Sequence, residues 1–163
     1  HNVPFYLRTG KRMPISSARI SIQFKKPSNT LFESRQANAP HTHDNVLTFR
    51  IQPKEGISLQ MLVKEPGLGY RLRNAKLDFS YASSFGSQIA DSYERLLIDS
   101  MRGDQTLFAT NAGFNATWQL MTDITNCWGV EKKPVFPNYI AGSWGPQEAE
   151  TLLERDSRHW LLH

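Results

Sequence analysis

The sequence predicts an α+β domain, a mostly antiparallel β-sheet with helices packed on one face. Two observations carry this. Over the first half of the chain the apolar residues recur at every second position, and over the second half they recur at helical spacing. Strand-like segments come first and helix-like segments follow, which is the order of an α+β chain rather than of alternating β and α units.

The elements follow in order. Val3 to Arg8 reads as an opening strand. Ala18, Ile20, Ile22 and Phe24 alternate with Arg19, Ser21 and Gln23, and Leu47, Phe49 and Ile51 with Thr48, Arg50 and Gln52. Ile57, Leu59, Met61 and Val63 form a third series, and Leu77, Phe79 and Tyr81 a fourth. Each series gives one apolar and one polar face, the signature of an antiparallel sheet covered on one side. Gln52 to Gly56, containing Pro53, reads as a short hairpin turn. Lys25 to Asn45 reads as a long polar loop.

Beyond these strands, Ile89, Tyr93, Leu96, Leu97 and Met101 share one helical stripe, with Asp91 and Ser92 near its start and Gly103 just past its end. Phe114, Trp118, Met121 and Trp128, flanked by Leu120 and Ile124, make a second stripe. A third helix is predicted to begin at Pro146 and to turn Ala149, Leu152 and Leu153 inward.

Composition sets the bounds. The 163 residues carry 19 Lys+Arg and 15 Asp+Glu, a net charge of +4. This excess is mild and scattered, so neither nucleic acid nor a membrane surface is the expected partner. No window approaches the roughly 18 apolar residues of a membrane span. The single cysteine, Cys127, forms no internal disulfide and fits a reducing compartment. The chain runs from His1-Asn2-Val3-Pro4 straight into apolar sequence without an initiator methionine, which predicts a piece of a longer protein.

Few motifs carry chemistry on their own. Arg8-Thr9-Gly10-Lys11-Arg12 places three cations around a glycine, which suits a phosphate or sugar hydroxyl but equally a solvated turn. Gly67-Leu68-Gly69 lacks the third glycine and the following helix of a dinucleotide fingerprint and reads as an ordinary loop. His41-Thr42-His43-Asp44 has metal-capable side chains but no second cluster to complete a site. Asn115-Ala116-Thr117 matches a glycosylation sequon but falls inside a predicted helix. Glu94 and Arg95 are neighbours that cannot face each other, so each is expected to pair elsewhere. On these grounds the chain is a soluble α+β domain of open function.

Taken together, five segments resemble one family. Val3-Pro4-Phe5-Tyr6-Leu7-Arg8-Thr9-Gly10-Lys11-Arg12-Met13-Pro14 is similar to a VPFxLRxGKxL segment, and Asn45 to Pro53 to an N-x-L-x-x-R-x-Q-P strand and turn. Leu77 to Tyr81 resembles an LDxxY strand, Asp91 to Asp99 a DAYERLxxD helix, and Gly142-Ser143-Trp144-Gly145-Pro146 a Y-x-x-GSxGP stretch. In this order they resemble the C-terminal domain of glucose-6-phosphate dehydrogenase.

The resemblance implies oxidation of glucose 6-phosphate at C1 to 6-phosphogluconolactone in the pentose phosphate pathway, with NADP or in some members NAD. The implied setting is the cytoplasm. A His–Asp pair takes the hydroxyl proton while the cofactor takes the hydride. The family's cofactor loop, its D-H-Y-L-G-K substrate motif and its catalytic histidine segment do not appear, and none of the five histidines sits in such a context. Residues 1–163 are therefore expected to be the C-terminal part of the substrate-binding and dimerisation domain, inactive alone, with NADP bound mainly by a Rossmann domain outside this chain. No catalytic, cofactor-binding or metal residue is assigned.

Lys11 matches the family's substrate-binding lysine and Gln52 its glutamine before the turn proline, so these two are the expected substrate contacts. A second basic substrate residue usually follows five positions on; here that position is Ser16, with Arg12 or Arg19 as possible replacements. Arg8, Arg50 and Asp78 match a structural NADP site of some eukaryotic members, but Ser17, Ser21, Ser58, Gln60 and Trp144 stand where its charged or tyrosine partners belong. No structural NADP is expected. The resemblance further implies a homodimer or higher oligomer through the sheet. The alternative reading is a non-catalytic homologous assembly module that partners a complete enzyme.

Overall fold

The computed structural model describes residues 3–25, 45–69, 72–86, 92–130 and 135–161. Its elements are β1 (Ala18–Gln23), β2 (Val46–Gln52), β3 (Gly56–Lys64), β4 (Leu72–Ser80), α1 (Tyr81–Phe85), α2 (Ser92–Arg102), α3 (Asn111–Val130) and α4 (Gln147–Glu154). The strands form one four-stranded antiparallel sheet in the order β1-β2-β3-β4. The predicted α+β class is the observed one. Ile89, Asp91 and positions 26–44 of the long loop, with its histidines, lie outside the described residues.

The chain divides into two compact units. One comprises Pro14–Gln88 and Ser157–His163 and holds the sheet and α1; the other comprises His1–Met13 and Ile89–Asp156 and holds α2, α3 and α4.

In the sheet unit the period-two pattern sorts the side chains as expected. Ile22, Leu47, Leu59 and Leu77 stand opposite one another across the four strands, as do Ile20, Phe49, Ile57 and Phe79. The edge of this apolar face is open, with Ile20 55% and Leu77 62% exposed. At its β4 end the rings of α1 close on Phe79, Tyr81 at 5.1 Å and Phe85 at 6.3 Å between centroids, both edge-on. On the other face Thr48 is only 7% exposed, and its hydroxyl lies 3.1 Å from that of Ser21 on the neighbouring strand.

In the helical unit the termini follow from local chemistry. α2 ends in a Schellman arrangement: Asp104 N–H donates to Asp99 C=O at 2.9 Å and Gly103 N–H to Ser100 C=O at 3.1 Å. Gly103, at φ 70, supplies the left-handed residue this needs. Thr110 caps α3, its Oγ1 accepting from Gly113 N–H at 3.2 Å. Arg95 finds its partner one turn on, its Nε 3.8 Å from Asp99. The sequon lies inside α3, where Thr117 Oγ1 donates to Gly113 C=O.

Several expectations need correction. Residues 3–8 join no ladder; instead Tyr6 donates to Asp156, and Arg8 Nη2 to Glu150 of α4 at 2.5 Å. Their alternation turns Tyr6 and Arg8 inward and leaves Phe5 and Leu7 exposed. Tyr81 opens α1 rather than closing β4, because Ser80 is the last extended residue and serves as the N-cap. Pro146 is the N-cap of α4 and not its first helical residue. Leu153 is buried at 3% exposure, whereas Leu152, about 100° round the helix, is 52% exposed. The stripes of α2 and α3 lie on the predicted elements, but Tyr93, Leu97, Met101, Phe114, Trp118 and Trp128 are exposed.

Candidate functional site

Lys11 lies in a turn of the helical unit whose backbone is held from a distant part of the chain. Tyr139 Oη donates to the Lys11 carbonyl at 2.7 Å, and Gly142 N–H donates to the Arg12 carbonyl at 2.8 Å. Between these acceptors Arg12 takes φ 54, left-handed for a non-glycine residue. Such a conformation costs of order 1–3 kcal/mol and persists where the surroundings over-determine it. The donor segment is itself fixed: Ser143 N–H donates to Ile140 C=O at 3.1 Å, with Gly142 at φ 83 as the third residue of a type II turn. A side chain there would be strained, which accounts physically for that glycine.

The three cations of the motif separate. Arg8 is turned onto Glu150 and its side chain is 10% exposed. Lys11 and Arg12 are exposed. Among the described residues the Lys11 ammonium has no hydrogen-bond or ion-pair partner.

In the sheet unit Gln52 closes β2 opposite Ala18, exposed, ahead of a cis bond to Pro53. Two residues back on the same face Arg50 spans a strand. It stands opposite Gly56 of β3, and its guanidinium passes over that glycine to Asp78 of β4, with bonds of 2.9 and 2.7 Å and a third, 3.0 Å, to the Phe79 carbonyl. Gly56 is required by this close approach: a Cβ there would stand 2.4 Å from Arg50 Nη2 and 2.3 Å from Phe79 O. The Arg50 bond, joined by Lys76 at 3.0 Å, lowers the Asp78 carboxyl from 3.8 to about 2. Arg19 stands opposite Arg50 and donates to Ser17 Oγ at 3.3 Å, and Ser16 is exposed. Lys11 thus belongs to one unit and Gln52 to the other.

Gly67 and Gly69 lie on the connection from β3 to β4, so no helix N-terminus follows them to receive a pyrophosphate. Among the described residues no group of three or more His, Cys, Asp or Glu is placed to hold a metal ion, and no helix is long and apolar enough to cross a membrane. Sequence reasoning gave Tyr139 no role. Its signal was the tyrosine three residues before the glycine of the Y-x-x-GSxGP pattern.

Comparison with known proteins places these features in a family. The family model for the glucose-6-phosphate dehydrogenase C-terminal domain matches residues 1–161. A glucose-6-phosphate 1-dehydrogenase of Chlamydia pneumoniae is 44% identical over 158 residues, 97% of this chain and 31% of the relative. Among solved structures, a glucose-6-phosphate dehydrogenase in complex with its substrate glucose-6-phosphate superposes with a TM-score of 0.74 at 26% identity, covering 93% of this chain and 30% of that one. The glucose-6-phosphate 1-dehydrogenase of Mycobacterium avium gives 0.70 at 25% identity, with 94% and 30% covered. The chain spans about a third of the length of the curated relatives it matches. It belongs to the glucose-6-phosphate dehydrogenase C-terminal domain family.

Proposed function

We propose that this domain is the C-terminal part of a glucose-6-phosphate 1-dehydrogenase and that its contribution to the reaction is to hold the sugar phosphate. Lys11 supplies a cation to the phosphate or a neighbouring hydroxyl, and Gln52 supplies a polar contact. NADP binding and proton removal belong to a Rossmann domain and a His–Asp pair on polypeptide beyond these residues, so the 163-residue chain alone reduces no NADP. The observation that carries the reading is the state of Lys11, an exposed ammonium with no partner among the described residues, on a backbone turn fixed at two carbonyls. A sugar phosphate carries close to two negative charges at neutral pH, and a lysine meets them as a point charge.

The test is Lys11→Ala in the complete dehydrogenase. A charge-assisted hydrogen bond contributes about 1.5–3 kcal/mol, so the KM for glucose 6-phosphate is expected to rise about ten- to 150-fold. The KM for NADP is expected to stay near wild type. Comparable rises in both would refute the assignment.

The same reading includes a homo-oligomer through the sheet, supported by the exposed apolar edge at Ile20 and Leu77; a clean monomer mass by light scattering at high micromolar concentration would contradict it. It includes no structural NADP on the sheet, since Ser17, Ser21, Ser58, Gln60 and Trp144 stand where the charged or tyrosine partners of such a ligand belong. Tight NADP binding by the isolated chain in calorimetry would overturn that point.

A further inference from the structure

We propose that Tyr139 is a positioning residue for Lys11, its phenol fixing the backbone turn that aims the ammonium at the sugar phosphate. This rests on the reading of Lys11 as a substrate contact. Tyr139 Oη bonds the Lys11 carbonyl and Gly142 N–H the Arg12 carbonyl, so the two donors grip the peptide units on either side of the Arg12 Cα. That residue is the left-handed one, at φ 54. The phenol holds the Lys11 carbonyl oxygen, two bonds from the Cα that carries the side chain. The lysine stem keeps its own rotamers, but the peptide plane on the C-terminal side of its Cα is fixed before a ligand arrives. Less binding energy is then consumed in ordering the turn.

A second observation places the hydroxyl against the whole turn. A Cβ on Gly10 would meet Tyr139 Oη at 3.2 Å and Met13 Cε at 3.4 Å. Gly10→Ala therefore presses on the phenol and perturbs the same contact while leaving Tyr139 and Lys11 themselves unsubstituted.

The experiment is steady-state kinetics in the complete dehydrogenase, with melting temperatures measured in parallel. Loss of one neutral hydrogen bond predicts that Tyr139→Phe raises the KM for glucose 6-phosphate about three- to tenfold. The NADP KM is expected to stay unchanged, kcat to stay within about twofold, and the melting temperature to fall by no more than one neutral hydrogen bond accounts for. Gly10→Ala is expected to move the same constant in the same direction, and it carries the comparison if Tyr139→Phe does not accumulate as folded protein. On a Lys11→Ala background, Tyr139→Phe is expected to add nothing, because the group it aims is gone.

Four results would overturn the proposal. A full-sized Tyr139→Phe effect in the Lys11→Ala background would show that the phenol acts independently of the lysine. Equal rises in both KM values together with a larger fall in melting temperature would show a merely structural role. An unchanged sugar phosphate KM in Tyr139→Phe and Gly10→Ala, while Lys11→Ala raises it, would remove the positioning role and leave Lys11 as a substrate contact. An unchanged KM in Lys11→Ala would remove the substrate contact itself and the positioning role with it.

Discussion

Replacing Gly56 by alanine tests how closely β2, β3 and β4 are fitted together. The new methyl would stand 2.3 Å from the Phe79 carbonyl oxygen, 2.4 Å from Arg50 Nη2 and 3.1 Å from Arg50 Cζ. Comfortable non-bonded separations are about 3.5–4.0 Å between carbons. The carbonyl belongs to the backbone of β4 and cannot rotate aside, so the strands must part or the guanidinium must leave. Overpacking of this kind costs about 1–3 kcal/mol. For a chain of this size that converts to a fall of about 2–12 °C in melting temperature. Thermal unfolding followed by circular dichroism measures it, with Gly69→Ala as the control. Gly69 has nothing within 4 Å of its missing Cβ, so alanine there is expected to leave the midpoint unchanged or raise it slightly. The displaced guanidinium also releases Asp78, whose carboxyl should climb from about 2 toward its ordinary 3.8 in an NMR titration. A Gly56→Ala protein that melts with the wild type and keeps the low Asp78 value would refute the argument.

The ion pair also predicts a pH dependence. Arg50 first, then Lys76, holds the folded Asp78 carboxyl at about 2 against an ordinary 3.8, so the unfolded chain binds the proton more readily. The contribution of Asp78 is therefore complete above about pH 4 and lost as pH falls toward about 2. Acid unfolding followed by tryptophan fluorescence should show this slope, and Asp78→Asn should flatten it; an identical acid limb in both proteins would refute the linkage. In the helical unit, Leu153→Ala, at 3% exposure, is expected to cost about 2–5 kcal/mol. Leu152→Ala, at 52% exposure, should cost within about 0.5 kcal/mol. Chemical denaturation separates the two, and equal losses would mean that the burial of Leu153 is not what holds α4.

What was legible in the sequence was what repeats locally. The four alternating series became β1 to β4, paired in sequence order, because a period of two needs only neighbouring residues to declare itself. The helices α2 and α3 and the closing Gly103 declare themselves over the same short range, and the start of α4 to within one residue. The local errors were single-residue shifts at Tyr81 and Pro146 and the facing of Leu152, and the larger ones came where a distant partner decided the outcome. Residues 3–8 look like a strand, but their polar positions are claimed by Glu150 and Asp156, more than a hundred residues away. Tyr139 reaches Lys11 across 128 positions, and no local pattern announces that bond. Gly56 reads as the closing glycine of a turn, while the structure shows that it makes room for a guanidinium.

Lys11 and Arg50 show why a motif match alone does not define a site. In sequence both are cations inside family-like segments. In the fold Arg50 meets Asp78 with two parallel bonds and caps the Phe79 carbonyl with a third, so its planar fork is directed across the sheet to β4. An anion approaching it must compete with a carboxylate that keeps its charge down to about pH 2. Lys11 presents the reverse case: its own carbonyl and that of the next residue are held, and its ammonium is exposed with no partner among the described residues. An anion arriving there displaces only water. Fixing the backbone while leaving the charge free lowers the cost of ordering the site without weakening its attraction. That combination separates a ligand-binding cation from one that holds strands together; among the described residues Lys11 and its neighbour Arg12 both show it, and the family resemblance of the turn selects Lys11 of the two.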